Sequence, residues 1–248
     1  MFVILLLAAW VGLYGQNFDV ASVRPQGPDD RGFFIRPPNR GQFTANGVVA
    51  KVLVMLAYDV QDSQIIGGPD WFATEKWDIQ AKSEQQQYNV DETRLMVQHL
   101  LAERFALRLH RSTTQLPVYV LTVGKGGPKF KLSEKTSSNL QVGPNSILML
   151  GGTIDRLKGV LATSLGRPVL DQTGLTGSYD LSVQWDDAPL RGGGLLAIPD
   201  PRGAGTPSGT ERGSIFTAIP DQLGLRLEAQ RAPVEVLVID EIQRPTPN

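Results

Sequence analysis

Cysteine is absent from the 248 residues. That excludes disulfides, thiol nucleophiles and thiolate metal sites, and with them a lipid anchor on an N-terminal cysteine. Histidine is nearly absent too, with only His99 and His110. No H-E-x-x-H helix or i, i+4 histidine pair is possible, so no metal is assigned. No G-x-S-x-G occurs, which removes the nucleophile elbow. An excess of one charge is also missing. Lys and Arg number 24 against 25 Asp and Glu, so there is no basic stripe of the kind that neutralises phosphates, and no nucleic-acid partner is expected. "GKGGPK", Gly124 to Lys129, lacks P-loop spacing and a following helix, and no cofactor is implied.

The one long apolar run is "FVILLLAAWVGLYG", Phe2 to Gly15. It is too short to cross a bilayer, which takes about twenty residues. It fits the h-region of a secretory signal peptide cut near Gly15, although no Lys or Arg precedes it. The expectation is therefore a signal peptide over 1–15 and a periplasmic or secreted bacterial protein, with no membrane insertion of the mature chain.

Apolar spacing organises the rest. "FDVASVRP" reads as a strand with Phe18, Val20 and Ser22 on one face. A helix is predicted over Val48 to Tyr58, buried along Val49, Val52, Leu53, Leu56 and Ala57. Asn89 and Glu92 form a capping box ahead of a second helix whose buried stripe is Met96, Val97, Leu100 and Leu101. "FALRLHR", "TTQLP" and "VYVLTV" read as a hairpin. Thr153 caps a third helix, facing inward through Ile154, Leu157, Val160, Leu161 and Leu165, with Gly166 after it. Ser214 caps a fourth, in which Pro220 predicts a kink. "LGLRLEAQ" and "VEVLVIDEI" close as another hairpin.

The second half repeats the first. Leu53 matches Leu157 and Asp78 in "WDI" matches Asp180 in "YDL", at offsets of 104 and 102; Leu107 matches Leu225 and Pro117 matches Pro233, at 118 and 116. The expected fold is α+β, in two pseudo-repeated halves, 16–132 and 139–248, each with two helices on a mainly antiparallel sheet. A Gly/Pro-rich loop occupies 187–213.

Residues that recur in both copies serve the common fold first. Asp78 and Asp180 read as turn-holding or solvent-facing carboxylates. Gly67, Gly68, Gly174 and Gly177 read as positive-φ positions. "DQTG" at Asp171 resembles an aspartic-protease motif but carries an extra residue, and the other half supplies no second carboxylate. The catalytic residues stay unknown. The leading expectation is a non-enzymatic ligand-binding or protein-interaction module. The alternative is a hydrolase with a dispersed site between the halves, drawing on Asp78, Asp171, Asp180 and His110. Candidate ligand residues are Trp71, Asp78, Asp171, Asp180, Trp185 and His110, while Trp77 and Tyr179 are assigned to the core.

Six segments carry a family likeness: "FDVASVRP", "GQFTANGV", "LAYDVQDSQIIGGPDW", "LLAERFALRLHRSTTQLPVYVLTVGKGGPK", "LGRPVLDQTGLTGSYDLSVQW" and "LGLRLEAQRAPVEVLVIDEIQRP". They resemble the uncharacterised soil-associated protein family of acidobacteria, and the likeness spans nearly all of the mature chain. The resemblance implies export. It also implies kinship with proteins fused behind antirepressor-type membrane metallopeptidases, hence a sensing or binding role with an envelope protein or a small molecule as partner.

Overall fold

The computed structural model describes residues 17–27, 32–84, 88–135, 137–185 and 214–246. The expected signal peptide and the 187–213 loop lie outside them. The strands are β1 (Val20–Pro25), β2 (Phe34–Asn39), β3 (Gln42–Val49), β4 (Ile65–Ile66), β5 (Lys76–Lys82), β6 (Arg108–Val123), β7 (Lys131–Leu132), β8 (Asn139–Gly143), β9 (Ser146–Gly152), β10 (Val169–Asp171), β11 (Tyr179–Gln184) and β12 (Leu225–Glu241). The helices are α1 (Ala50–Tyr58), α2 (Val90–Arg104), α3 (Ile154–Leu165) and α4 (Ile215–Ala218). The class is mixed α+β, with three four-stranded, mainly antiparallel sheets. Two compact units form. One gathers the chain up to Tyr58, Pro69–Arg108 and the stretch from Glu241; the other gathers Asp59–Gly68 and Leu109–Asp240.

In the first unit the sheet order is β1-β5-β3-β2. Val23 pairs with Ile79 and Ser22 with Gln80. Val23 is fully buried and Val20 is 66% exposed. Val20 and Ser22 share the outer face of the strand, as alternation expects, and Val23 faces the core. Phe18, ahead of the strand, still packs on Phe43 with ring centres 5.5 Å apart.

α1 starts two residues later than predicted. Val48 and Val49 finish β3 opposite Trp77 and Lys76, in keeping with the fit of β-branched residues to a pleated surface. The buried stripe is accordingly Ala50, Leu53, Val54 and Ala57, not the one through Val49, Val52 and Leu56. The Asn89–Glu92 capping box forms as expected, with the Glu92 amide donating to Asn89 Oδ1 at 2.8 Å. The α2 stripe is the predicted one. Gln98 Nε2 ties the two helices together by donating to the Ala57 carbonyl at 2.7 Å.

In the second unit one sheet runs β7-β11-β9-β8. Its inner face, Ile147, Met149, Leu181 and Val183, shares a core with Leu157 and Leu161 of α3. Thr153 caps α3 through the Arg156 amide. Gly166 ends it at φ 64, a left-handed conformation that costs a residue with Cβ about 1–2 kcal/mol. Ser214 occupies the N-cap position of α4, but its side chain makes no capping bond, which corrects the predicted role. The helix lasts four residues and passes into a wider π-type turn over Ile219–Leu223 that takes in Pro220.

The other sheet of this unit is ordered β10-β6-β12-β4, and it overturns both predicted hairpins. β6 and β12 are single strands of 16 and 17 residues. They pair with each other in opposite directions. Arg108 meets Glu241 at one end, and Arg231 donates to the Gln115 carbonyl farther along. The "TTQLP" segment is rich in β-favouring threonine and offers no Gly or Asn for a tight turn, so nothing reverses the chain there.

Pro117 and Pro233 have a different use. The Tyr119 amide donates outward to the Pro168 carbonyl just before β10. Alternate residues of a strand face the same edge, so Pro117 falls on that outer edge as well. The Glu235 carbonyl accepts outward from Gln64 Nε2 just before β4, which places Pro233 on the opposite outer edge. Each proline removes a backbone donor beside the short outer strand and so limits further strand pairing.

Candidate functional site

The same clasp occurs once in each unit. In the first, Gly47 sits in a bulge of β3 at φ 62, and its amide donates to Asp78 Oδ1 of β5 at 2.9 Å. In the second, Gly151 at the end of β9 has φ 66, and its amide donates to Asp180 Oδ1 of β11 at 2.8 Å. Each glycine lies against backbone. An added Cβ would stand 2.2 Å from the Gly32 carbonyl oxygen at Gly47, and 2.5 Å from that of Ser137 at Gly151. Each clasp fixes the strand that feeds the following helix, α1 or α3. Asp78 is buried at 9% exposure. Asp180 is half-buried, and the Ser133 hydroxyl hydrogen bond, followed by the Gly151 amide and the charges of Lys135 and Lys131, holds its carboxyl below the usual range against desolvation.

The remaining candidates have partners of their own. Asp171 ends β10 and accepts from the Thr173 amide and hydroxyl at 2.8 and 2.7 Å, a local turn. His110 lies on β6 with Nδ1 2.8 Å from Asp240 Oδ1, and its side chain is 57% exposed. Asp171 pairs in register with Leu121 of β6, eleven residues from His110. That separation is about 35 Å along the strand, so those two groups do not share a site.

Trp71 and Trp185 are buried, at 8% and 5% exposure, as are Trp77 and Tyr179. Trp77 meets Trp71 and Phe105 edge-on, with ring centres 6.3 and 5.8 Å apart. Its Nε1 is buried without a hydrogen-bond partner among the described residues. Gly67, Gly68, Gly174 and Gly177 all have positive φ, as their turns demand.

Two clefts stand out among the described residues, one in each unit. That of the first, about 570 Å³, is lined by Pro25, Gln26, Glu75, Lys76, Trp77 and Arg244. Arg244 grips Glu75 with two nitrogens at 2.7 and 2.9 Å and lies 5.3 Å from the Trp71 ring centre. The Arg244 hydrogen bond draws the Glu75 carboxyl down. That of the second, about 390 Å³, is lined by Lys129, Phe130, Lys131, Asp180, Ser182 and Gln222. Lys129 Nζ donates to the Asp221 carbonyl at 2.8 Å, and the Gln222 side chain accepts from the Gln184 amide. Among the described residues no group of three His, Asp or Glu side chains is placed to hold a metal, and no helix is long and apolar enough to cross a membrane.

Sequence reasoning found the clasp aspartates but missed their glycines. The signal was present, because Gly47 and Gly151 stand 104 apart, the offset of Leu53 and Leu157.

No curated protein matches the chain, and no solved structure matches it. The model of DUF3738, described as a protein of unknown function, matches residues 51–242, from α1 through the end of β12, and so covers both clasps except Gly47 itself. The chain belongs to the DUF3738 family.

Proposed function

We propose that this chain is an exported, non-enzymatic ligand-binding or protein-interaction module of the bacterial cell envelope. The observation that carries this reading is the use made of the chemistry-bearing side chains. Asp78 and Asp180 hold backbone amides, Asp171 holds its own turn, and His110 pairs with Asp240 across two strands. A catalytic pair needs groups that converge on one substrate; Asp171 and His110 lie about 35 Å apart along β6, and Asp78 and Asp180 each hold a backbone amide. The apolar segment ahead of Gln16 supports export, and the six quoted segments support membership of the acidobacterial soil-associated family. The matching clasps, at offsets of 104 and 102, support an internal duplication in which both copies keep the same fold-holding pair.

The test is a thermal-shift screen of the chain from Gln16 against glycans, peptidoglycan fragments, beta-lactams, peptides and divalent metals. A ligand present at a hundred times its Kd stabilises the native state by about 2.7 kcal/mol. A shift without turnover supports the module. Conversion of a screened compound, lost in Asp171→Asn or His110→Ala, refutes it.

A further inference from the structure

We infer that the outer edge of β11 captures the C-terminal end of a partner protein's chain, bound as one more antiparallel strand. This rests on the binding-module reading and names its site and ligand class.

The edge is set by hydrogen-bond parity. The Trp185 amide donates to the Asn145 carbonyl at 3.1 Å, and Val183 pairs with Ile147 of β9. Alternate residues of a strand direct their amides and carbonyls to the same side, so Ser182 and Gln184 turn theirs away from β9. On that outer side the Ser178 carbonyl accepts from the Ser133 amide at 2.9 Å, and Lys131 of β7 lies opposite Asp180. The Gln222 carboxamide accepts from the Gln184 amide and donates to its carbonyl. Ser182 lies between these served positions. Continuing the β7 register puts Lys129 opposite Ser182, but the Lys129 amide donates to the Leu223 carbonyl at 2.9 Å instead. Among the described residues no other group takes the outward amide and carbonyl of Ser182. They border the cleft of about 390 Å³.

The first unit shows what such an edge accepts. At the offset of 102 between the clasp aspartates, Ser182 corresponds to Gln80 and Gln184 to Lys82. Gln80 pairs with Ser22 and Lys82 with Val20 of β1, which runs antiparallel beside β5 over Val20–Pro25. The occupant there is an extended chain, held by main-chain bonds that any sequence can make. In the second unit Gln222 imitates it over one position, because a carboxamide offers the same donor and acceptor as a peptide group.

The neighbours decide which part of a chain fits. An antiparallel strand enters opposite Gln184, displaces the Gln222 side chain and runs in the direction of β7. Opposite Asp180 its path is taken by Lys131. Its last residue therefore lies opposite Ser182, donating its amide to the Ser182 carbonyl and accepting the Ser182 amide with its terminal carboxylate. Lys129 and Lys131 line the cleft at that end, where charge-assisted bonds favour a carboxylate. Lys129 gives one proton to a neutral group, the Asp221 carbonyl. Asp180 also lines the cleft, but its carboxylate is held by the Gly151 amide. The penultimate residue falls opposite Val183 and faces the apolar side. Ala21, paired with Ala81, stands at that place in the first unit, so a small apolar residue fits.

The experiment adds the pentapeptide acetyl-Thr-Val-Thr-Ala-Thr, with a free carboxylate, to the nitrogen-labelled chain from Gln16 and follows the amide resonances by NMR. The Ser182 amide and the Gln222 side-chain resonances move together as the peptide binds. The C-terminal amide of the same peptide binds about tenfold more weakly. Methylating the last peptide nitrogen removes the donor to the Ser182 carbonyl and abolishes binding. Gln222→Ala removes the competing carboxamide and tightens binding. Lys131→Gln, on an exposed residue, narrows the difference between acid and amide and serves if Gln222→Ala does not fold. No movement at Ser182, equal binding of acid and amide, binding of the methylated peptide, or weaker binding in a folded Gln222→Ala overturns the inference. The module reading survives any of these if another compound still shifts the melting temperature.

Discussion

Replacing Asp78 by alanine leaves the Gly47 amide, at a buried position, without its acceptor. The bond is 2.9 Å long and joins a carboxylate to a backbone N–H. Losing the acceptor costs the desolvation of that N–H, about 1–3 kcal/mol. Asp78→Asn keeps the shape and an amide oxygen, so its cost is smaller. Gly47→Ala is worse, because it adds a left-handed penalty of about 1–2 kcal/mol to a Cβ placed 2.2 Å from the Gly32 oxygen. The backbone must then move, and the total exceeds about 3 kcal/mol. Urea unfolding reads these differences, with tryptophan fluorescence as the signal. Trp71 and Trp77 report on the first unit and Trp185 on the second, so a fold that melts in two steps still gives separate values. The expected order of loss is Gly47→Ala, then Asp78→Ala, then Asp78→Asn, all in the first unit's transition. An Asp78→Ala midpoint equal to wild type, with unchanged slope, refutes the reasoning.

Three further outcomes follow from particular contacts. Asp180 has a folded pKa below its ordinary value of 3.8, so its contribution is present above that value and is lost as pH falls through the folded pKa. The melting-temperature gap between wild type and Asp180→Asn is therefore widest near neutral pH and closes in acid; a gap that widens in acid contradicts this. Trp77→Phe keeps the edge-on aromatic contacts and removes the unpartnered N–H, so denaturant melts show a loss below about 1 kcal/mol, whereas Trp77→Ala loses about 3–5 kcal/mol. Pro117→Thr with Pro233→Thr restores two outward donors on the edges of β6 and β12 and raises self-association in sedimentation. A variant that stays as monomeric as the parent chain denies the prolines that role.

Legibility in the sequence followed the range of the forces involved. The α2 capping box, the α3 cap and Gly166, and the core assignment of Trp77 and Tyr179 depend on neighbours within a few residues, and the apolar spacing carried them. Which face of β1 meets the core was not legible, because Val23 is buried through its pairing with Ile79, far along the chain. The hairpins failed for a related reason. Pro117 and Pro233 look like turn residues, yet each serves an outer edge defined by β10 or β4. The clasp was half legible: the aspartates recur visibly, but their glycine partners lie 31 and 29 residues earlier.

The most direct test of the central claim combines the ligand screen with the aspartates. A stabilising ligand from the screen is measured again on Asp171→Asn, Asp180→Asn and His110→Ala. The account predicts that Asp180→Asn lowers the melting temperature at neutral pH while the ligand-induced shift persists in all three. A shift abolished in a variant that remains folded would place that residue at the ligand and contradict the assignment of these side chains to the scaffold.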